Sequence, residues 1–237
     1  MVVILAASGL VACSGGARSN TRGTAVPDPA RTVPANPDYS RGCSPSGLDS
    51  SATCIGITLD AVDNARAREG VRPMALPAGF GRLTVPQQVL VAINLERVDR
   101  GLPPFTGLTG TLNGDAQKGA DVANDPPDPG AAYDVIDTEW AGGSVNGLDA
   151  DYGWMYDDGI GSGNLDCPKA GAPGCWGHRH GILDDFGSVG TLVMGAAVNT
   201  TGDTAQGDRG GTSIAATLAI TTRPPGPFVC RWTGPPA

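Results

Sequence analysis

The sequence predicts an α+β domain in which helices surround a small antiparallel sheet. The clearest helix, 84–100, opens with Thr84 and Gln87 at the spacing of a capping box. Farther along the chain, two apolar or alternating runs bounded by glycine, 191–198 and 212–222, have the pattern of strands. Helices followed by two adjacent strands are typical of a mixed domain with helices packed against a small sheet.

Three further helices are predicted from inward-facing residues that recur at three- and four-residue steps: 58–69, 108–123 and 146–157. In the second of these helices the recurring positions hold small residues such as Ala116 and Ala120, so we expect it to pack closely on a neighbouring element. The chain contains 36 glycines and 20 prolines, which predicts short elements joined by many loops.

The charge of the chain excludes one class of partner. A formal net charge of −8 argues against nucleic acid, which requires a basic surface. Ten acidic residues lie between Asp134 and Asp185, against only Lys169 and Arg179. This stretch is either a solvated acidic face or a surface that attracts a cation or a basic ligand.

The first 13 residues predict export. Residues 1–13 form a short apolar run that ends in Leu-Val-Ala-Cys, the pattern of a bacterial lipoprotein box with Cys13 as the acylated residue. The positively charged start of an export signal is missing, so a plain signal peptide or a start farther upstream remain alternatives. We expect an exported protein, extracellular or anchored to the membrane through a lipid on Cys13.

The remaining cysteines also indicate an oxidising compartment. Cys43 and Cys54, and likewise Cys167 and Cys175, enclose short polar loops, so we predict two local disulfides. Cys230 is then left without a predicted partner. The sequence holds no C-x-x-C pair, which makes zinc binding by cysteines the weaker interpretation.

Composition divides the chain into four predicted regions: the signal segment 1–13, a flexible Pro/Gly/Ser-rich tether 14–55, a folded domain 56–223 and a Pro-rich tail 224–237. The segment 167–186 is the candidate site, because it contains both histidines and places Trp176 and His178 at the start of a helix.

Several separated motifs resemble one known family when taken together. In chain order the motifs are Asn94-x-x-Arg97 with Gly101-Leu-Pro-Pro-Phe105, an alanine-rich helix, Glu139 in T-E-W-A-G-G, Trp154 to Asp157, Trp176-Gly-His-Arg179 with Ile182-Leu183, and Gly195 in a strand. This order resembles the bacterial branch of the CAP superfamily (cysteine-rich secretory protein, antigen 5, pathogenesis-related 1), whose domain is also called the SCP domain.

The resemblance implies an α-β-α sandwich and a cleft with two histidines and two acids that can hold a divalent metal. By position, Glu139 matches the first acid, Asp157 the second acid and His178 the second histidine. The place of the first histidine holds Gly119-Ala120, so the site is incomplete and would bind a metal weakly. His180 is an alternative ligand; alternatively, His178 is only hydrogen-bonded to Glu139 or Asp157.

Three functions follow from this resemblance and from the residues. The first is a lipid-anchored, CAP-like envelope protein without enzymatic activity that binds a lipid or wall component in an acidic cleft. The candidate cleft residues are Glu139, Asp157, His178, Trp176, Arg97 and Asn94, although Arg97 could instead bond loop carbonyls. The second is a metal-assisted hydrolase with Glu139 as general base and His178 as acid or ligand. The third is a purely structural lipoprotein. The chain has no G-x-S-x-G motif and no phosphate-binding loop.

Overall fold

The computed structural model describes residues 12–13, 26–33, 36–130, 133–187, 189–201 and 211–234. These residues form five α-helices and one six-stranded sheet, which confirms the α+β class. The helices are α1 Ala52–Arg68, α2 Val85–Asp99, α3 Gly110–Val122, α4 Gly147–Tyr156 and α5 Gly177–Leu183. The strands are β1 Ala12–Cys13, β2 Gly107–Thr109, β3 Val135–Gly142, β4 Thr191–Asn199, β5 Ser213–Thr221 and β6 Phe228–Trp232.

The sheet has the strand order β1-β6-β2-β4-β5-β3. Strands β3, β4 and β5 are antiparallel, β2 runs parallel to β4, and β6 runs antiparallel to β2. The two predicted strands are confirmed as the neighbours β4 and β5. Strand β3, which carries Glu139, was not predicted as a strand. Two acids, Asp137 and Glu139, take positions where a half-buried strand usually has apolar residues. The alternation of apolar and polar residues that indicates a strand is therefore absent from the sequence of β3.

Helices cover both faces of the sheet. On one face, Met194 of β4 and Leu218 of β5 belong to the main core together with the inner faces of α2 and α4. On the other face, Val193 and Ala219 pack against Leu112 of α3. Adjacent residues of each strand therefore contribute to two separate hydrophobic layers, as the pleat of a strand requires.

Helix α3 lies very close to strand β4. A Cβ atom at Gly195 would overlap the backbone of Leu112, so only glycine permits this approach. Farther along the helix, Ala116 and Ala120 pack against alanines of β4 and β5. The close packing predicted from the small residues of this helix is confirmed.

Part of the predicted tether is folded onto the domain. Val33 is buried, and its backbone N–H donates to the carbonyl of Tyr156 at 3.2 Å. Tyr39 is also buried, and helix α1 already begins at residue 52 with Ser51 as its N-cap. The predicted boundary at residue 55 is therefore wrong, because two isolated apolar side chains gave no periodic signal. Residues 14–25 lie outside the described part of the chain.

The predicted Pro-rich tail contains the strand β6. Leu108 of β2 lies opposite Cys230 in the antiparallel pairing, and Cys230 is buried. Cys230 also forms a disulfide, which answers a question that the sequence left open. The backbone of Cys13 pairs with Trp232 in β1, but its side chain, and with it the predicted lipidation, falls outside the described part.

Both predicted local disulfides are present. Cys43 is joined to Cys54 across a Cα–Cα distance of 4.7 Å, and Cys167 to Cys175 across 4.4 Å. Such bonds persist in oxidising compartments and are rare in the cytosol. Within the described part of the chain, no helix has the length and apolar character needed to cross a bilayer.

Candidate functional site

His178 lies in the first turn of α5, directly after the loop closed by Cys167 and Cys175. Trp176 precedes the helix with a left-handed φ of 60° and packs onto that disulfide. Its ring also covers Gly159, where any Cβ atom would collide with the indole. Trp176 is thus a buried support of the helix start, and the structure does not bring it into the cleft described below.

The imidazole of His178 lies between two carboxylates. Nδ1 is 3.2 Å from Oδ1 of Asp158, and Nε2 is 3.3 Å from Oδ1 of Asp125. Burial disfavours the charged ring, but the hydrogen bonds to both carboxylates and the charge of Glu139 outweigh it and raise the pKa of His178 to about 11.

His178 is therefore an imidazolium at neutral pH, and both of its ring N–H groups donate to acids. A metal ligand or a general base needs a nitrogen with a free lone pair, which this ring does not offer. The arrangement instead holds three separate segments together, namely α5, the turn after α4 and the loop after α3.

The acid that bonds His178 follows the predicted one by a single residue. Helix α4 ends at Tyr156, Asp157 is its C-cap, and Asp158 turns toward α5. Oδ2 of Asp158 also accepts the backbone N–H of His178 at 3.2 Å. The side-chain amide of Asn164 donates to Oδ1 of Asp158 at 2.7 Å, which ties the following loop to the same carboxylate. The expected pairing of His178 with Asp157 is thus corrected to Asp158.

The second acid, Asp125, comes from a loop that the sequence did not single out. Helix α3 ends at Ala123 in the left-handed region, with a φ of 53°, and the chain folds back over the helix. A Cβ atom at Gly119 would lie 2.7 Å from the carbonyl oxygen of Asn124 and from the nitrogen of Pro126. Where the family places its first histidine, this chain has a glycine covered by the loop that carries Asp125.

Glu139 lies on β3 beneath α5 and is fully buried. Neither carboxylate oxygen has a hydrogen-bond partner among the described residues. Burial raises the pKa of Glu139 well above its usual range, although the charge of His178 opposes this. At Gly181, a Cβ atom would lie 2.7 Å from Oε1 of Glu139, so the helix closes directly over the acid. Burial therefore favours the protonated form of Glu139, which is sealed from solvent beneath α5.

These residues do not have the geometry of a metal site. In the described part of the chain, the ligand atoms of Glu139, Asp157 and His178 do not converge within the range that one ion could bridge. The one convergent group found there is Cys43, Asp49 and Cys54, whose two sulfurs are already joined in a disulfide. The protonation states of His178 and Glu139 argue against metal binding for the same residues.

Asn94 and Arg97 stabilise loops and do not line the cleft. Asn94 bonds both backbone groups of Phe105, donating to its carbonyl at 2.9 Å and accepting its N–H at 2.7 Å. Arg97 donates to the carbonyls of Ile182 at 2.6 Å and Asp184 at 2.9 Å, at the end of α5. Both side chains are fully buried. Arg97 therefore bonds loop carbonyls, which was the alternative to a role in the cleft.

An open cleft of about 510 Å³ lies beside His178. Its walls come from residues 36–39, the loop after α3, the end of β3, helix α4 and the loop before α5. Five acids line it, and His178 is its one basic lining residue within the described chain. The lining acids are Asp125, Asp149, Asp157, Asp158 and Asp166.

Asp157 is a partly buried cleft acid that carries charge without a described partner. Its carboxylate has no hydrogen bond or ion pair among the residues that the structure describes, and it is only partly buried. Burial, and then the charges of Asp149 and Asp158, raise the pKa of Asp157 to about 6. By contrast, Asp149 already accepts the hydroxyl of Tyr39 and the backbone N–H of Val145.

Two tryptophans complete the cleft. Trp154 is 1% exposed, and its indole N–H has no acceptor among the described residues. Trp140 is half-buried and donates to the hydroxyl of Ser213 at 2.8 Å, which fixes the ring at the cleft wall. Sequence reasoning placed Trp154 in a family motif but did not assign it to the site, and it missed Trp140.

Comparisons of the chain with family models, curated proteins and solved structures found no match.

Proposed function

We propose that this chain is an exported, CAP-like protein of the cell envelope whose acidic cleft binds a polar wall component without catalysing its conversion. The observation that carries the proposal is the cleft of about 510 Å³, whose described lining offers five carboxylates and no free basic group. A volume of this size is ordinary for a small-molecule or oligosaccharide site.

The CAP-like assignment has support from the motifs and from their packing. The motif Asn94-x-x-Arg97 orders the loop after α2 and the end of α5, and Gly195 allows α3 to reach the sheet. Helices on both faces of a mostly antiparallel sheet agree with the α-β-α sandwich that the resemblance implies. Export agrees with the local disulfides.

The hydrolase alternative has little support in this geometry. A general base must be ionised and must reach the substrate, whereas burial raises the pKa of Glu139 and the carboxyl lies beneath Gly181. His178 keeps its proton between two acids and cannot activate water. A binding role requires neither group to titrate during function.

Among the two ligand classes considered, a wall component fits the cleft better than a lipid. A lipid site needs a continuous apolar lining, but here carboxylates and a half-buried tryptophan face the solvent. Sugar hydroxyls can donate to carboxylates, and a sugar ring can lie against the face of Trp140.

The proposal is tested by sedimentation of the full chain with insoluble cell wall and, separately, with lipid vesicles. We expect the chain to sediment with the wall, and Asp157→Asn to reduce the bound fraction several-fold. Asp60→Asn is the matched control, because Asp60 is exposed on α1 away from the cleft. Binding to vesicles alone, or wall binding that Asp157→Asn leaves unchanged, would refute the proposed cleft function.

A further inference from the structure

The charge of the cleft restricts what can enter it. The charged groups of its described lining are five carboxylates and His178, whose charge is already shared by Asp125 and Asp158. An anionic ligand would therefore meet repulsion from every side. A cation would gain from the same field, most of all at Asp157, which has no described partner and is better shielded from solvent than the exposed Asp166, whose carboxylate also has none.

A second observation indicates that the ligand is more than a small cation. Trp154 lines the cleft and is only 1% exposed, and its indole N–H has no acceptor among the described residues. A buried donor of this kind costs free energy until an acceptor reaches it. A ligand with a hydroxyl or ether oxygen beside its cationic group would supply that acceptor.

The aromatic wall adds a third requirement. Trp140 is fixed by its bond to Ser213 and is half-buried, so one side of the ring remains accessible at the cleft. A flat ring held in this way favours a ligand with a matching face of C–H groups, or a cation lying over the ring. Sugars carry such a face, and amino sugars carry the cation as well.

We infer that the cleft selects an amino sugar with a free, protonated amine, as in wall glycans that have lost part of their N-acetyl groups. This inference rests on the proposed function and names the class of its ligand. The amine lies at the carboxylate of Asp157, a ring oxygen or hydroxyl accepts from Trp154, and the sugar face contacts Trp140. N-acetylation removes the charge and adds bulk, so it weakens binding.

The test compares two ligands with the same backbone by calorimetry on the full chain: a glucosamine tetrasaccharide and its fully N-acetylated counterpart. We expect the free amine form to bind at least tenfold more tightly. Asp157→Asn should remove most of that preference, whereas Asp60→Asn should keep it. Binding of the amine form should also weaken severalfold between 50 mM and 300 mM salt, because charge carries the selection.

The outcomes separate this inference from the proposed function. Equal affinity for both tetrasaccharides would overturn the amine selection and leave wall binding intact. Tetralysine that binds as tightly as the glucosamine tetrasaccharide, with the same loss in Asp157→Asn, would show selection for basic peptides and would also overturn the inference. Failure of the chain to sediment with cell wall would instead refute the proposed function itself.

Discussion

The protonated state of His178 can be measured directly, because the chain contains only two histidines. The variant Asp158→Asn keeps the size of the side chain but removes the carboxylate that lies 3.2 Å from Nδ1. His180 gives the second signal in a two-dimensional NMR titration, and the variant His180→Gln assigns the two rings. His180 is suited to this use because it is largely exposed and pairs only with Asp28 among the described residues.

The expected magnitude follows from the geometry. Two unit charges about 4 Å apart interact by about 4 kcal/mol at an effective dielectric constant of about 20, equivalent to about three pH units. The ring of His178 is 25% exposed, so solvent screening reduces this value. We expect the pKa of His178 to fall from about 11 in the wild type by about one to two pH units in Asp158→Asn.

The same charge also makes stability depend on pH. The pKa of His178 is higher in the folded chain than the usual value of 6.5, so the stabilisation is fully present below pH 6.5. It is lost as the pH rises toward about 11. We expect the free energy of unfolding to drop by about 2 kcal/mol between pH 6.5 and 9, less in Asp158→Asn and least in His178→Gln. A wild-type His178 signal that titrates near pH 6.5 would refute the charged arrangement and reopen the metal and hydrolase alternatives.

Three further predictions concern packing and burial. Gly195→Ala should lower the free energy of unfolding in urea by about 2–4 kcal/mol, because the added Cβ overlaps the backbone of Leu112. Gly114→Ala is the control in α3: its Cβ meets nothing within 4 Å, so it should raise the free energy of unfolding by up to about 1 kcal/mol. Arg97→Lys should cost about 2–4 kcal/mol in the same assay, since an ammonium cannot reach the three carbonyls that the guanidinium bonds; near-native stability would contradict this. Glu139→Gln should be as stable as the wild type near pH 4.5 and increasingly more stable above that pH. The reason is that the folded wild type loses stability as the pH rises toward the raised pKa of the buried acid, whereas glutamine does not titrate. A Gln variant that is less stable than the wild type at pH 8 would show that the carboxylate is needed in its charged form.

The helices were predictable because their signals are local. The capping box of Thr84 and Gln87 is formed as the sequence indicates, and the predicted helix 146–157 is present as α4. The strands β4 and β5 likewise show their apolar pattern in one continuous run. Strand β3 was missed because its buried acids break that pattern, and an acid is buried only when tertiary packing forces it.

The site depends on contacts that no local pattern contains. Asp125 and His178 are 53 residues apart, and their contact depends on the left-handed turn at Ala123. The choice between Asp157 and Asp158 depends on where α4 ends, and helix ends are the least certain part of any sequence-based assignment. The family motif located this region of the chain but not the acid that bonds the histidine.

The glycine at position 119 and the acidic surroundings of His178 have one physical explanation. Glycine at position 119 lets the loop after α3 lie against the helix, and that loop brings Asp125 to Nε2 of His178. With Asp158 on Nδ1, the ring is held as a cation, whose positive charge faces the buried Glu139. A metal ion would need a free imidazole lone pair and ionised carboxylates at this place, and the acids on both ring nitrogens leave no lone pair free. Of the two cleft carboxylates without a described partner, Asp157 is the partly buried one, and its charge can act on a ligand that enters the cleft from outside.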